Sequence, residues 1–343
     1  MRPLRFVALL AALVLTAGEA LAAGITITKD VLYATHDGVA LLGDLYQPAG
    51  SGSHPAMLLI HGGAWKVGSK AAYNASWGPS LAERGYVVFS VDYRLSKPGE
   101  SNWPKALLDC KAALQHLRGN AAALGIDPER IGAGGDSAGG ELSAMLALTQ
   151  DWPAFAKRYP ADAYADQSTK LKAVVPAYGV YSMANWWVWT KQGYKPDALE
   201  YNALDELFGG PPTAAPAAYL EASPIDYVRQ SSTALKSFAL PNAGTGIGWF
   251  VTWGESDPIV PAESQSLPFV QALKEAGAAV TAVPVPNVGH FWFSRSALNG
   301  SSVVPRDCTV APGNVVNCAV GSPNAYIEQR LLEFLDRNLG QKR

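Results

Sequence analysis

Short apolar runs alternate with helix-length amphipathic stretches along most of this chain of 343 residues, and this alternation restricts the fold more than any other feature. The runs that read as buried strands are AMLLIHGGAW, GYVVFSVDYRL, RIGAGG, LKAVVPAYGV, GWFVTWGESDP and AVTAVPVPNVGH. Strands that alternate with helices form a mostly parallel sheet with helices on both faces. We therefore predict an α/β fold whose functional site lies at the carboxyl ends of the strands.

Helices and an opening hairpin complete the predicted architecture. The stretch ITITKDVLYATHDGVALLGDLYQP alternates apolar and polar residues around His36-Asp37-Gly38, which predicts an antiparallel hairpin at the start of the sheet. Helical periodicity predicts helices over residues 77–84, 104–123, 140–150, 263–276 and 325–339.

Two segments interrupt the alternation and read as insertions. Residues 181–248 contain NWWVWTKQGY and GGPPTAAPAAY, and we expect them to form a small cap before the strand GWFVTWG. Residues 294–323 read as a loop. Because no linker-like stretch separates the rest, residues 23–343 are expected to form a single domain.

The first residues read as a targeting segment. Arg2 and Arg5 precede an apolar run over 6–17, and the small residues of the tripeptide ALA end at Ala22. This run is shorter than the roughly 20 residues that a membrane span needs. We expect residues 1–22 to be a signal peptide, cleaved after Ala22, and the mature protein to be secreted or periplasmic without stable membrane insertion.

Cysteine usage fits that expectation. An oxidising compartment favours a disulfide between the close pair Cys308 and Cys318. Cys110 lies in a predicted helix and is expected to be a buried free thiol.

Composition disfavours several classes of function. The formal net charge is −2 and no run of Lys or Arg is present, so the clustered cations that nucleic-acid binding needs are missing. Neither C-x-x-C spacing nor a histidine cluster is present to suggest zinc. We expect no cofactor, a small-molecule substrate and no nucleic-acid partner.

The stretch RIGAGGDSAGGELSAMLALT places glycines and one serine between a strand-like run and a helix-like run. A dinucleotide loop requires G-x-G-x-x-G, but Ser137 stands where the third glycine belongs, and the Gly-Lys pair of a Walker loop is also absent. A simple turn remains an alternative, since Gly and Ser are common in turns. Gly135, Ser137 and Gly139 match the G-x-S-x-G nucleophile elbow, in which a sharp strand-to-helix turn exposes the serine hydroxyl.

A serine hydroxyl needs a base to remove its proton, and His290 is the candidate. It follows the last strand-like run, in NVGHFWF. The other histidines lie in the early hairpin turn, a polar loop, the HGGAW loop and the middle of a predicted helix: His36, His54, His61 and His116.

The acid that orients the base is predicted from the end of another strand. TWGESDPIVP places Asp257 directly after a strand, with Glu255 as the weaker alternative. The order Ser137, Asp257, His290 is that of the α/β-hydrolase triad. Gly62 and Gly63 of IHGGAW, together with the N–H of Ala138 after the serine, are predicted to form an oxyanion hole.

These residues resemble the α/β-hydrolase superfamily, specifically its esterase/lipase group, which includes hormone-sensitive-lipase-like enzymes. HGGAW, VDYRL, GIDPERIGAGGDSAGGELSAMLA, GESDPIVP and GHFWF resemble its blocks in order, over about residues 30–339. The opening hairpin and Trp65 in place of a further glycine look more like the feruloyl-esterase, acetyl-xylan-esterase-like or arylformamidase branches.

The resemblance and the triad together predict an exported serine carboxylic-ester hydrolase, acting on small or aryl esters. An arylformamidase-like amide hydrolase and a serine peptidase of the same fold remain alternatives. Trp65, Trp186 and Trp187 are expected either to line an apolar substrate pocket or to fasten the cap to the core.

Overall fold

The computed structural model describes residues 24–232, 246–295, 298, 306–310, 314–318 and 323–340. For residues 231–232, 306–310, 314–318 and 323–325 only the backbone is described. The predicted signal peptide, residues 1–22, lies outside the described residues and remains a prediction.

A single eight-stranded sheet forms the centre of the described fold. Its strands are β1 (Thr26–His36), β2 (Val39–Gln47), β3 (His54–Ile60), β4 (Val87–Val91), β5 (Ile126–Asp136), β6 (Ala173–Ala177), β7 (Gly248–Gly254) and β8 (Ala279–Val285). They lie in the order β1-β2-β4-β3-β5-β6-β7-β8. Pairing is antiparallel between β1 and β2 and between β2 and β4, and parallel from β4 to β8. The predicted α/β architecture is confirmed.

The opening hairpin is confirmed as well. His36 pairs with Val39 across a two-residue turn whose residues, Asp37 and Gly38, have φ angles of 51° and 78°. Two consecutive positive φ angles define the primed turn whose twist suits adjacent strands, and Asp-Gly is a favoured pair for it.

The five predicted helical stretches are confirmed within a few residues of their predicted limits, and further helices lie at residues 153–156 and in the segment before β7. They are α1 (Trp77–Ala82), α2 (Lys105–Gly119), α3 (Ala121–Leu124), α4 (Ala138–Thr149), α5 (Pro153–Ala156), α6 (Met183–Gly193), α7 (Ala203–Phe208), α8 (Pro216–Glu221), α9 (Pro224–Ser232), α10 (Ser266–Glu275) and α11 (Pro323–Leu339). The predicted helix over 104–123 is divided at Asn120 into α2 and α3. None of the described helices is both long and apolar enough to cross a membrane.

The core lies against both faces of the sheet. Every residue of β4, β6 and β7 is buried, and every residue of α4 is buried too. Strands covered on both faces are expected to be continuously apolar, which explains why the runs were recognisable in the sequence. Burying each Val of these strands contributes about 1.5–3 kcal/mol of transfer free energy, which stabilises the sheet that carries the site at its carboxyl edge.

The segment before β7 folds largely as helices. Within residues 181–232 it contains α6, α7, α8 and α9, and residues 233–245 lie outside the described part. We refer to residues 181–232 as the cap. Its first residues are fixed by Gln265, whose Oε1 accepts the backbone N–H groups of Tyr181 and Ser182, each at 2.8 Å.

The expectation that residues 294–323 are only a loop is wrong for two stretches of backbone. β9 (Arg306–Val310) and β10 (Asn314–Cys318) pair as an antiparallel hairpin. The sequence RDCTVAPGNVVNC has short β-branched runs on either side of Ala-Pro-Gly, which is a hairpin signal. The side chains of Cys308 and Cys318 lie outside the described part, so their disulfide remains a prediction. Cys110 is a free, buried cysteine as expected.

Candidate active site

Ser137 lies at the turn between β5 and α4. Its backbone has φ 55° and ψ −119°, although it is neither glycine nor asparagine. A side chain in this region costs of order 1–3 kcal/mol and persists only where the surroundings impose it. One such constraint is the hydrogen bond from Ser137 N–H to the carbonyl of Ala177, at 3.0 Å. The half-exposed serine therefore occupies a strained elbow.

The two glycines that flank the elbow are required by crowding. A Cβ on Gly135 would lie 2.4 Å from the carbonyl oxygen of Ile60 and 2.5 Å from that of Gly139. A Cβ on Gly139 would lie 1.9 Å from the same Ile60 oxygen. Both glycines of G-x-S-x-G are therefore required because β5, α4 and the last residue of β3 approach one another closely at this turn.

Asp257 and His290 form a buried pair beyond the ends of β7 and β8. The Nδ1–H of His290 donates to Asp257 Oδ2 at 2.7 Å, and their side chains are 2% and 0% exposed. The other oxygen, Oδ1, accepts the backbone N–H groups of Ile259 and Val260, each at 2.9 Å. The carboxylate is therefore fixed on both oxygens and fixes the imidazole in the tautomer that leaves Nε2 able to accept a proton.

Glu255, the alternative acid, has an exposed side chain. Its backbone instead joins the two loops, because its N–H bonds to the carbonyl of Val285 at 3.0 Å. Gly254, just before it, allows close approach: a Cβ there would lie 2.2 Å from the Val288 oxygen and 2.5 Å from the Gly289 oxygen. Gly254 is thus needed for the loop that carries His290 to pack against the end of β7.

The second ring nitrogen of His290 is not engaged by any described residue. Nε2 is buried and has no hydrogen-bond partner among the described residues. The imidazole packs against the ring of Tyr178, with centroids 4.5 Å apart. Tyr178 follows Ala177, which accepts the Ser137 N–H, so the His290 ring packs on the residue next to the one that bonds to the elbow.

The loop after β3 lies against Ser137. A Cβ on Gly62 would lie 3.1 Å from the Ser137 Cβ and 2.8 Å from the carbonyl oxygen of Asp136. Gly63 has φ 115°, and a Cβ there would lie 2.1 Å from the Val67 oxygen. Both positions therefore exclude larger residues, and Gly62 brings its backbone close to Ser137.

His61 orients this loop. Its Nδ1–H donates to the carbonyl of Gly62 at 2.7 Å, and its ring stacks on Tyr93 with centroids 4.3 Å apart. Burial lowers the pKa of His61, which keeps the ring neutral. Because a trans peptide carries its carbonyl and its N–H on opposite sides, the bond to Gly62 oxygen turns the N–H of Gly63 the other way.

Ala138 provides the remaining predicted donor. It is the first residue of α4 and is buried. The first N–H groups of a helix have no intrahelical acceptor and carry the positive end of the helix dipole. The elbow geometry thus supplies an N–H suited to an anion next to Ser137.

Asp136, beside the nucleophile, anchors the surrounding loops. Its Oδ1 accepts the Tyr73 hydroxyl at 2.7 Å, while Oδ2 accepts Ser294 Oγ at 3.1 Å and the Tyr178 hydroxyl at 3.3 Å. The Tyr178 hydroxyl in turn accepts the backbone N–H of Phe293 at 2.9 Å. This buried carboxylate therefore links the elbow to the segment that follows His290.

Of the three tryptophans proposed for a pocket, Trp65 and Trp186 pack together where the cap meets the core, whereas Trp187 bonds to another residue of the cap. Trp65 and Trp186 are 0% and 2% exposed, and their rings pack edge to face with centroids 5.9 Å apart. Trp186 Nε1 donates to the Ile259 carbonyl at 2.8 Å, and Trp187 Nε1 donates to Asp205 Oδ1 at 2.7 Å. These contacts support the fastening role, and a pocket role remains a prediction.

Several site residues were not recognised in the sequence. His61, Tyr73 and Tyr178 act through single polar atoms on otherwise apolar runs, and no spacing rule marks them. Asp136 could have been recognised, because a carboxylate at the buried end of a strand needs several hydrogen-bond donors around it. No group of three or more His, Cys, Asp or Glu side chains within the described ranges could hold a metal ion.

Comparison with known proteins identifies the family. The BD-FAE family model matches residues 43–273, more than half of the chain. Esterase LipQ of Mycobacterium tuberculosis is 33% identical over 237 residues, which is 69% of this chain and 50% of that protein. Esterase LipC of the same organism is 30% identical over 258 residues, or 75% of this chain and 57% of that protein. The chain thus spans about half the length of the curated relatives it matches.

Solved structures agree on the fold. A truncated form of a carbohydrate esterase from gut microbiota superposes with a TM-score of 0.62 at 27% identity, covering 80% of this chain and 92% of that one. An esterase from Thermogutta terrifontis superposes with a TM-score of 0.60 at 24% identity, covering 90% of both chains, and supports the fold alone. With its eight-stranded sheet and the order serine, acid, histidine, the chain belongs to the BD-FAE family of α/β-hydrolases.

Proposed function

We propose that this chain is an exported serine carboxylic-ester hydrolase that acts on small or aryl esters through an acyl-enzyme. The observation that carries the proposal is the Asp257–His290 pair, whose buried Nε2 is unpaired among the described residues and whose ring packs on Tyr178. Tyr178 directly follows the residue that accepts the N–H of the strained Ser137. If Ser137 were only part of a turn, neither a fixed imidazole nor a strained backbone with φ 55° would be expected.

The first half of the reaction uses the three residues in turn. His290 Nε2 takes the proton of Ser137 Oγ as that oxygen attacks the ester carbonyl. The imidazolium that forms is stabilised by Asp257 through the 2.7 Å bond at Nδ1. His290 then gives its proton to the departing alcohol, which leaves an acyl group on Ser137.

The second half reverses the roles. Water attacks the acyl carbonyl while His290 removes its proton, and the serine leaves with that proton as the acid is released. In both halves the carbonyl oxygen becomes an anion that Ala138 N–H and the amides of Gly62 and Gly63 stabilise. Removing one such donor typically costs about 10²–10³-fold in kcat.

The proposed substrate class rests on the names of related proteins. Esterase names recur among the relatives, and the name of one solved structure at 27% identity is a carbohydrate esterase. These names favour an ester over an amide bond. The sequence of residues 1–22, with two arginines before an apolar run, supports export.

Hydrolysis of p-nitrophenyl acetate and p-nitrophenyl butyrate tests the proposal. We expect turnover by the wild-type protein and a loss of about 10⁶-fold in kcat for Ser137→Ala, as for other triad nucleophiles. Turnover by the wild type no greater than that of Ser137→Ala overturns the proposal.

A panel of substrates then separates the alternatives that share the triad. Feruloyl esters, acetylated sugars, formanilides and a peptide anilide should be compared by kcat/KM in the same protein preparation. An ester hydrolase gives its highest values with the esters. Preference for the formanilide indicates an arylformamidase-like enzyme, and preference for the peptide anilide indicates a peptidase.

A further inference from the structure

A buried carboxyl group that the triad does not use lies one helical turn after the nucleophile. Glu141 is 0% exposed, and its backbone N–H bonds to the carbonyl of Ser137 at 3.0 Å. Its Oε2 accepts the indole N–H of Trp65 at 3.0 Å, whereas Oε1 has no partner among the described residues. One side chain thus joins helix α4 to the loop that follows β3.

That loop has an unusual backbone that needs support from outside. Ala64 and Trp65 follow Gly62 and Gly63 and have φ angles of 52° and 57°, in the left-handed region that residues with a Cβ rarely adopt. Two such residues in succession persist only where surrounding contacts hold them. The indole of Trp65 is the largest group on this segment, and Glu141 is its hydrogen-bond acceptor.

We propose that Glu141 is a positioning residue for the oxyanion hole, holding the loop of residues 62–65 against α4 through the Trp65 indole. This inference rests on the proposed function, because it assigns Glu141 a part in the same reaction. Ala138 and Gly63 contribute their amides from different elements. The distance between the two amides therefore depends on the contact that holds the loop against the helix. Glu141 makes that contact and belongs to the same helix as Ala138.

Glu141 performs this role as an uncharged carboxylic acid. Burial raises its pKa well above the ordinary value, against a smaller opposing effect of the Trp65 N–H. The titratable groups that interact with it are Tyr93, Cys110 and Tyr227, whose own pKa values burial raises, and none of them is basic. An isosteric amide should therefore replace it.

The test compares Glu141→Gln with Glu141→Leu. Glutamine keeps an oxygen for the Trp65 N–H, whereas leucine keeps the volume and removes the acceptor. We expect Glu141→Gln to retain kcat within about threefold, as a replaced neutral hydrogen bond would. Glu141→Leu should lower kcat by about 10–100-fold, part of the effect of losing an oxyanion donor, while KM stays within about twofold.

A transition-state analogue gives a readout that a purely structural role would not move. An alkyl trifluoromethyl ketone forms a hemiketal whose oxyanion occupies the same hole, so its Ki in Glu141→Leu should rise by the factor by which kcat/KM falls. Trp65→Phe removes the donor of the same hydrogen bond. This variant replaces Glu141→Leu in the test if the leucine variant fails to fold. In the double variant the losses should not add, because both changes delete one interaction.

The outcomes are separable. Wild-type activity in Glu141→Leu, or in Trp65→Phe where the leucine variant does not fold, overturns the inference and leaves the proposed function intact. A loss in Glu141→Gln as large as in Glu141→Leu also overturns it, because the ionised carboxylate would then be what matters. Absence of turnover in the wild type refutes the proposed function itself, through the Ser137→Ala comparison.

Discussion

His290 Nδ1 lies 2.7 Å from Asp257 Oδ2, and the second oxygen of that carboxylate is already occupied by two backbone N–H groups. The acid therefore has no freedom to turn away from the ring. This relationship determines the tautomer of the imidazole and, with it, the direction in which a proton can be transferred.

Asp257→Asn should reduce kcat by about 10⁴-fold, because an amide N–H facing Nδ1 favours the wrong tautomer of His290. The measurement is the steady-state hydrolysis of p-nitrophenyl acetate. Glu255→Gln is the matched control and should keep wild-type activity, since Glu255 is exposed. The assignment of the acid fails if the Asp257 variant stays active while the Glu255 variant does not.

Gly254→Ala should displace the histidine loop. The added Cβ would lie 2.2 Å from the Val288 carbonyl oxygen, so the loop that carries His290 has to shift. A displacement of the base by about 1 Å can cost about 10²-fold in rate. Gly52→Ala is the control, because its Cβ meets only the His54 ring at 3.4 Å. Equal kcat values for the two variants would show that the loops tolerate the added methyl group.

Asp136→Asn should lower the free energy of unfolding by about 1–3 kcal/mol, because an amide nitrogen cannot accept from the hydroxyls that the carboxylate now receives. Those hydroxyls belong to Tyr73, Tyr178 and Ser294. Urea unfolding followed by tryptophan fluorescence measures the change. Ser294→Ala removes one of these bonds and should cost about 1 kcal/mol. An unchanged or increased stability of the Asp136 variant would mean that burying the charge outweighs its hydrogen bonds.

His36 should make stability depend on pH. Burial alone would lower its pKa, but hydrogen bonds to Asp109 at 2.6 Å and Asp162 at 2.8 Å, with the charges of those carboxylates, raise it above the ordinary 6.5. Two further groups contact the ring. Arg94 Nη2 lies 3.5 Å from His36 Nδ1, and the ring of Tyr159 stacks on the imidazole with centroids 3.7 Å apart. A raised pKa stabilises the folded state fully below the unfolded value, and this stabilisation is lost as pH rises through the folded value.

The measurement is the difference in unfolding free energy between the wild type and His36→Gln, from about pH 5 to about pH 9. Taking a difference removes the contributions of the other titrating groups. The advantage of the wild type should be greatest at the acidic end and should decline with rising pH. An advantage that increases with pH contradicts the assigned direction.

Much of the sheet could be predicted from the sequence because its strands are buried on both faces. Runs such as AMLLI are then apolar throughout, and their order along the chain follows from alternation with helices. The candidate triad was inferred from the sequence for a related reason. The carboxyl ends of parallel strands meet at one edge, so Ser137, Asp257 and His290 were recognisable by position as well as by type.

The rest depends on contacts between segments distant in sequence. The hairpin within residues 294–323 was missed because each of its strands has only five residues, although the turn residues between them are a hairpin signal. Glu141 read as part of a helix, and only the structure shows Trp65 donating to it. The role of Asp136 likewise needed the positions of three hydroxyls from three loops.

Labelling with diethyl p-nitrophenyl phosphate tests the central claim most directly, since it reports the nucleophile without requiring the natural substrate. We expect release of one p-nitrophenolate per chain and a diethylphosphoryl group that peptide mass spectrometry locates on Ser137. Ser137→Ala should remain unlabelled, and Asp257→Asn should be labelled far more slowly. A wild-type protein that hydrolyses esters but carries the adduct on another residue, or none, would contradict the account.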